Sequence, residues 1–134
     1  MKPLFADTSF FIALMNVEDL VHADAHHYMA REGIDIVTTD WVLVEVGNYL
    51  SRRLGRERFE PLVADLLIDP RFGIFNADHE DFESGLQLYH QRQDKHWSMT
   101  DCISFNVMDR EGLTDALTSD HHFEQAGFRI LLGN

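Results

Sequence analysis

Four carboxylates, Asp7, Glu45, Asp101 and Asp120, carry the chemistry open to this 134-residue chain. Asp7 follows directly on an apolar run in LFADTSFFIAL, and Asp120 follows another in DALTSDHHF. Both should emerge at the carboxyl ends of strands, the edge of an open parallel sheet where ligands bind. Glu45 and Asp101 stand near the starts of apolar helix-period segments. There burial penalises a charge unless something positive compensates it, and for Asp101 the helix dipole helps. Taken singly, Asp7 and Asp120 have a plain alternative as N-cap or turn aspartates that accept backbone N–H groups. Taken together, the four can project toward one edge of the sheet. Like charges so close either hold protons or require cations, and oxygen ligands without Cys or paired His favour Mg²⁺ or Mn²⁺. Such a centre activates water and stabilises both the attacking and the leaving oxygen when a phosphodiester is cut. Thr8, Ser9, Thr118 and Ser119 flank two of the aspartates, as orienting hydroxyls or as ordinary caps.

The elements that must position these groups follow from the alternation of short apolar runs with longer helix-period segments. That pattern predicts a parallel sheet with helices on both faces. Strands are expected at Pro3–Ala6, Asp35–Thr38, Phe72–Phe75, Asp115–Thr118 and Arg129–Leu132. Helices are expected at Ser9–Met15, Leu20–Arg31, Val42–Leu54, Glu57–Ile68, Glu80–Arg92 and Thr100–Arg110, with Gly55, Pro70 and Gly112 marking ends. In Val42–Leu54 the apolar residues spread beyond one narrow face, which predicts a largely buried helix. Neither a repeat nor an interdomain linker is evident, and residues 1–134 read as one domain.

Asp and Glu number 23 against 11 Lys and Arg, a formal net charge of −12. A field of that sign repels a nucleic-acid backbone, so a bound cation, a basic partner or a locally positive groove is needed if RNA is the substrate. Arg52, Arg53, Arg56 and Arg58 form one basic stretch, either such a surface or a solvated helix end. The opening MKPLFADTSFFIALMN is interrupted by Asp7 and followed by no small-residue cleavage site. Neither a signal peptide nor a membrane span is expected, and the lone Cys102 agrees with a cytoplasmic protein. His22 and His26, one turn apart, match zinc spacing without the accompanying HExxH signature, so an exposed polar face is the simpler reading. His121 and His122 are turn histidines that stand close to Asp120. Cys102 reads as a packed side chain rather than a nucleophile. Trp41, Phe10, Phe11 and Trp97 read mainly as core or dimer-interface residues, with base stacking as the alternative.

The stretches DTSFFIAL, WVLVEVGNYL around Glu45, SMTDCISFNVM around Asp101 and ALTSDHHFEQAGFRILL around Asp120 resemble, in order and spacing, a PIN domain, and closely the VapC-type toxins of toxin–antitoxin pairs. The resemblance covers essentially the whole chain and departs from many similar sequences at His121, where they carry Arg or an acidic residue. It implies a parallel sheet, a divalent-metal site made by Asp7, Glu45, Asp101 and Asp120, and hydrolysis of RNA leaving a 5′-phosphate and a 3′-hydroxyl. It also implies an antitoxin protein as partner. Apolar helix faces add the expectation of a homodimer. Two alternatives remain at this stage: a catalytically silent PIN scaffold, and an aspartyl-phosphate phosphohydrolase. The latter lacks an Asp two residues after Asp7, where Ser9 stands, and Lys2 and Lys95 are the only lysines.

Overall fold

Twelve elements alternate along the chain in the computed structural model, which describes residues 1–52 and 55–133. They are β1 (Leu4–Ala6), α1 (Thr8–Met15), α2 (His22–Ala30), β2 (Ile36–Thr39), α3 (Asp40–Ser51), α4 (Arg56–Ile68), β3 (Phe72–Phe75), α5 (His79–Gln91), α6 (Met99–Arg110), β4 (Asp115–Leu117), α7 (His121–Gln125) and β5 (Arg129–Ile130). The strands form one parallel sheet in the order β3-β2-β1-β4-β5, with Phe5 opposite both Val37 and Ala116. The chain winds outward from β1 in one direction, then crosses back to add β4 and β5 on the other side. Right-handed crossovers in opposite directions place helices on both faces. The order reverses between β1 and β4, and ligands gather at such a reversal.

Sheet and helices close on a core that includes Phe5, Phe10, Phe11, Phe105, Phe123, Ile36 and Leu117, all essentially buried. Phe10 and Phe11 are thus core residues, and Trp41 joins a satellite cluster with its indole Nε1 donating to the Ala77 carbonyl at 3.1 Å. The helix expected over Val42–Leu54 starts earlier, at Asp40, because Thr39 ends β2 and caps α3 by accepting from the Val42 N–H at 3.1 Å. It is buried on one side only. Val42, Leu43, Val46 and Leu50 pack inward while Val44 is 50% exposed, which corrects the expectation of a largely buried helix. Leu54 lies outside the described residues. The segment Leu20–Arg31 shortens to His22–Ala30, and fully exposed Leu20 sits in the turn before it. Helix α7, absent from the expected elements, is too short to show a helical period, and Asp120 caps it.

Helices α5 and α6 set the position of Asp101. Buried Asp81, which completes a capping box with Asp78, pairs with Arg110 in the last turn of α6. Gly85 lets the two helices approach closely, since a Cβ there would lie 2.5 Å from Ile103 Cγ1 and 3.3 Å from the Ile103 nitrogen. Gly85→Ala is therefore expected to destabilise the fold by about 1–3 kcal/mol, despite alanine's better helix propensity. A denaturant melt no weaker than wild type would show that the contact yields without strain.

Candidate active site

Asp7 is the first residue beyond β1 and is 4% exposed. It stands at the N-cap position of α1, yet its carboxylate makes no capping bond, so the plain cap reading does not describe it. Instead Oδ2 accepts the Thr118 hydroxyl at 3.0 Å, across the β1–β4 seam. Ser9 Oγ lies 2.9 Å from Thr118 Oγ1 and accepts the Ser119 N–H at 3.2 Å. Removal from water is the main cause that pushes the Asp7 carboxyl up to about 7, and the nearby charge of Asp101 and, less, of Glu45 adds to it.

Glu45 reaches toward the same place from the second turn of α3, where Thr8 Oγ1 donates to its Oε1 at 2.5 Å. Asp101 closes a capping box at the start of α6: its N–H donates to Ser98 Oγ at 3.0 Å and its Oδ2 accepts the Ser98 N–H at 3.1 Å. Its carboxyl is raised above the ordinary range, first by burial and then by the charge of Asp120, against the lowering effects of the Ser98 and His122 hydrogen bonds. Asp120 does act as a cap, accepting the His122 N–H at 2.9 Å. His122 turns its ring between two acids, with Nδ1 3.2 Å from Asp101 Oδ2 and 3.4 Å from Asp120 Oδ1.

Asp7, Glu45, Asp101 and Asp120 line one cleft of about 400 Å³ with Thr8, Ser9, Asp19, His96, Ser98 and His122. Sequence reasoning brings the four acids to one place, but it misses Asp19, His96 and Ser98. For Ser98 a signal existed in the spacing Ser98-x-x-Asp101, a capping box that starts the helix at Met99, one residue before the expected Thr100. For Asp19 and His96, in loops, local spacing carries no signal. Neither Lys nor Arg lines the cleft among the described residues, so its acids face no fixed cation. Asp120, His121 and His122, one carboxylate and two imidazoles, bring potential ligand atoms within 4.8 Å of one another. The cleft as a whole, with the carboxylates of Asp7, Glu45, Asp101 and Asp120 and the His122 imidazole in its lining, suits a hard or borderline divalent ion.

The basic stretch lies elsewhere. Arg58 donates to the Met15 carbonyl at 2.9 Å, satisfying the end of α1, and Arg56 shares a shallow hollow with Glu57 and Glu60. Arg53 lies outside the described residues. His22 Nδ1 is 2.6 Å from the Ala13 carbonyl and its ring packs edge-on against His26, so this pair assembles no metal site with a third ligand among the described residues. Burial, with Asp101 beside it, pushes the Cys102 thiol up to about 11, which removes it as a nucleophile near neutral pH.

Comparison with known proteins agrees with this geometry. Over 126 residues the chain is 32% identical to the 23S rRNA-specific endonuclease VapC20 of Mycobacterium tuberculosis, covering 93% of this chain and 95% of that protein. The crystal structure of Mycobacterium tuberculosis VapC20, described as a Sarcin-Ricin loop cleaving toxin, matches with a TM-score of 0.86 at 27% identity, over 96% of this chain and 98% of that one. VapBC2 from Rickettsia felis, solved bound to a DNA fragment from its promoter, shares the fold at a TM-score of 0.69 and 13% identity, over 97% and 98% of the two chains. The family model of the PIN domain matches residues 4–129. Since that match runs from the first strand into the last, and sequence and fold agree, the chain belongs to the PIN-domain family.

Proposed function

We propose that the chain is a metal-dependent endoribonuclease, the toxin of a toxin–antitoxin pair, in which Asp7, Glu45, Asp101 and Asp120 hold the ion and are the catalytic residues. The observation that carries this is Asp7, buried and uncapped at the strand-order reversal, in a cleft whose acids meet no Lys or Arg among the described residues. The VapC20 relative, named as a 23S rRNA-specific endonuclease, supports RNA as the substrate class. A divalent ion held there, Mg²⁺ or Mn²⁺, supplies acidity to a water and charge stabilisation to the phosphodiester under attack.

The protein's own part is to hold this acid set in place. Thr118 and Ser9 fix the orientation of Asp7, Thr8 that of Glu45, and the Ser98 capping box that of Asp101. His122 spans Asp101 and Asp120. With its carboxyl near 7, Asp7 holds a proton in much of the metal-free protein at neutral pH and gives it up when a cation arrives. The aspartyl-phosphate alternative finds no lysine in the cleft lining among the described residues.

Purified protein incubated with a mixed RNA pool is expected to leave 5′-phosphate and 3′-hydroxyl ends with Mg²⁺ or Mn²⁺ and to leave RNA intact in EDTA. Cutting that persists in EDTA would sink the metal-dependent reading. The same ions should stabilise the fold by about 2.7 kcal/mol at a hundredfold excess over Kd, visible as a rise of several degrees in Tm. An unmoved Tm would leave no shared ion site.

On this reading a cognate antitoxin inhibits by placing a basic side chain, best an Arg fork, among the acids. A copurifying partner without a basic residue at the cleft would exclude that mode. Exposed Leu67 and Ile68 at the end of α4 support a homodimer, which light scattering would measure directly. The VapC20 relative, named as acting on 23S rRNA, supports a cytoplasmic setting, and the family match over residues 4–129 supports one PIN domain over residues 1–134. No helix among the described residues is long and apolar enough to cross a membrane.

A further inference from the structure

A second cavity of about 870 Å³ opens where the C-terminal end of α5 and the loop to α6 meet the start of α6. His96 and Ser98 line both it and the carboxylate cleft, so the two are neighbours that share these residues. Its walls include Leu86, Tyr89, Arg92, Lys95 and Trp97, and among the described residues no Asp or Glu lines it. In a chain with 23 acidic and 11 basic residues, that is a local reversal of the overall field.

The polar and apolar parts of this groove are arranged differently. Arg92 lies over the Trp97 ring at 5.0 Å and is held from the side by both oxygens of Asp94, at 3.0 and 3.1 Å. The Trp97 indole is fixed in turn by Gln125 Oε1 at 2.9 Å. The result is a stiff, flat platform whose charge is largely balanced. Among the described residues Lys95 makes only a long ionic contact, 4.0 Å to Asp94, so its ammonium remains available to an anion. Tyr89 and Leu86, each 48% exposed, turn apolar faces to solvent one helical turn apart. Exposed aromatic and apolar faces interleaved with cations, at the mouth of an acid-lined cleft, suit a flexible polyanion with flat bases.

We infer that this groove binds the single-stranded RNA that flanks the bond to be cut, with Lys95 on a backbone phosphate and Tyr89 under a base. The inference rests on the endoribonuclease reading and deepens it. It also eases the charge conflict: the strand approaches along a wall whose one neighbouring acid, Asp94, is already paired with Arg92, and meets the carboxylates at the point of cleavage.

The test uses a fluorescein-labelled single-stranded RNA 12-mer and the full chain in EDTA, where affinity is read by anisotropy across a salt series. Lys95→Gln is expected to weaken binding several-fold and to lower the slope of log Kd against log salt by about 0.7, the share of one phosphate on a single strand. Lys95→Arg should restore both. Tyr89→Ala is expected to weaken binding about tenfold and leave the salt slope unchanged. Tyr89 is exposed and Lys95 half-buried, so unaltered melting curves check the fold. If wild type cuts RNA with Mn²⁺ while all three variants bind the 12-mer as wild type does, the groove assignment is overturned and the enzyme reading stands. If wild type cuts no RNA with either ion, the enzyme reading itself fails. Should Lys95→Gln weaken only a hexaglutamate probe, the groove serves an acidic peptide and the RNA assignment is likewise overturned.

Discussion

Asp7→Asn is expected to lower RNA cleavage by on the order of a hundredfold or more while raising the melting temperature of the metal-free protein above neutral pH. The activity loss follows because an amide oxygen is a weak, neutral ligand for a hard cation, so both ion occupancy and the acidity of the activated water fall. The stability gain has the opposite origin. Holding the Asp7 carboxyl at about 7 instead of 3.8 means that its charged form disfavours the fold by on the order of 4 kcal/mol. The asparagine oxygen can still accept the Thr118 hydroxyl, so most of that penalty is relieved. Asp120→Asn should lose cleavage equally but leave the fold nearly unchanged, because asparagine caps α7 as well as aspartate does. Asp101→Asn should also lose cleavage, and its melt should rise less than that of Asp7→Asn, since its capping-box acceptor is weakened. An Asp7→Asn protein that melts below wild type in EDTA at pH 8 and still cuts RNA with Mn²⁺ would show a structural aspartate.

The second expected result is a stability profile that runs downhill with pH in EDTA. Between 3.8 and about 7 the folded chain keeps a proton on Asp7 that the unfolded chain has released. The stability tied to this group is therefore full below the unfolded value and is lost as pH rises through the folded one. From pH 5 to pH 8 the loss should reach about 2.5 kcal/mol, with Asp101 adding in the same direction. Asp69 and Asp94, whose carboxyls are lowered by hydrogen bonds from Arg71 and Arg92, act in the reverse sense and at more acid pH. Saturating Mn²⁺ should flatten or invert the trend, because it binds the deprotonated acids. Denaturant melts at intervals across this range decide it, and a flat EDTA profile in wild type would contradict the burial of a charged Asp7.

Much of this was legible from local pattern. Asp7 and Asp120 follow apolar runs short enough to be strands, and a parallel sheet then brings strand ends together. Glu45 and Asp101 were recognisable because a carboxylate inside an apolar helical stretch needs an explanation. The pattern did not show which groups orient them. Thr118 and Asp7 are 111 positions apart, and no periodicity couples them. A cap role for Asp120 was among the sequence readings, but the helix it caps was masked because five residues cannot display a helical period. The arginines between 52 and 58 stood out by density alone, while Arg92 and Lys95 did not, because a loop between helices, rather than proximity in sequence, places them next to the cleft.

The pairing of β1 with β4 also bears on when the site can exist. A chain still emerging from the ribosome, with β1, β2 and β3 already made, contains Asp7 but neither Thr118 to orient it nor Asp120 to face it. Closing that long loop is among the slowest contacts such a topology demands, because the entropy of joining distant segments is lost before the contact rewards it. Assembly of the acid cluster is thus deferred until β4 has been made and has docked. On the proposed reading the nascent chain has no complete acid site, and it becomes able to cut RNA only once β4 has docked.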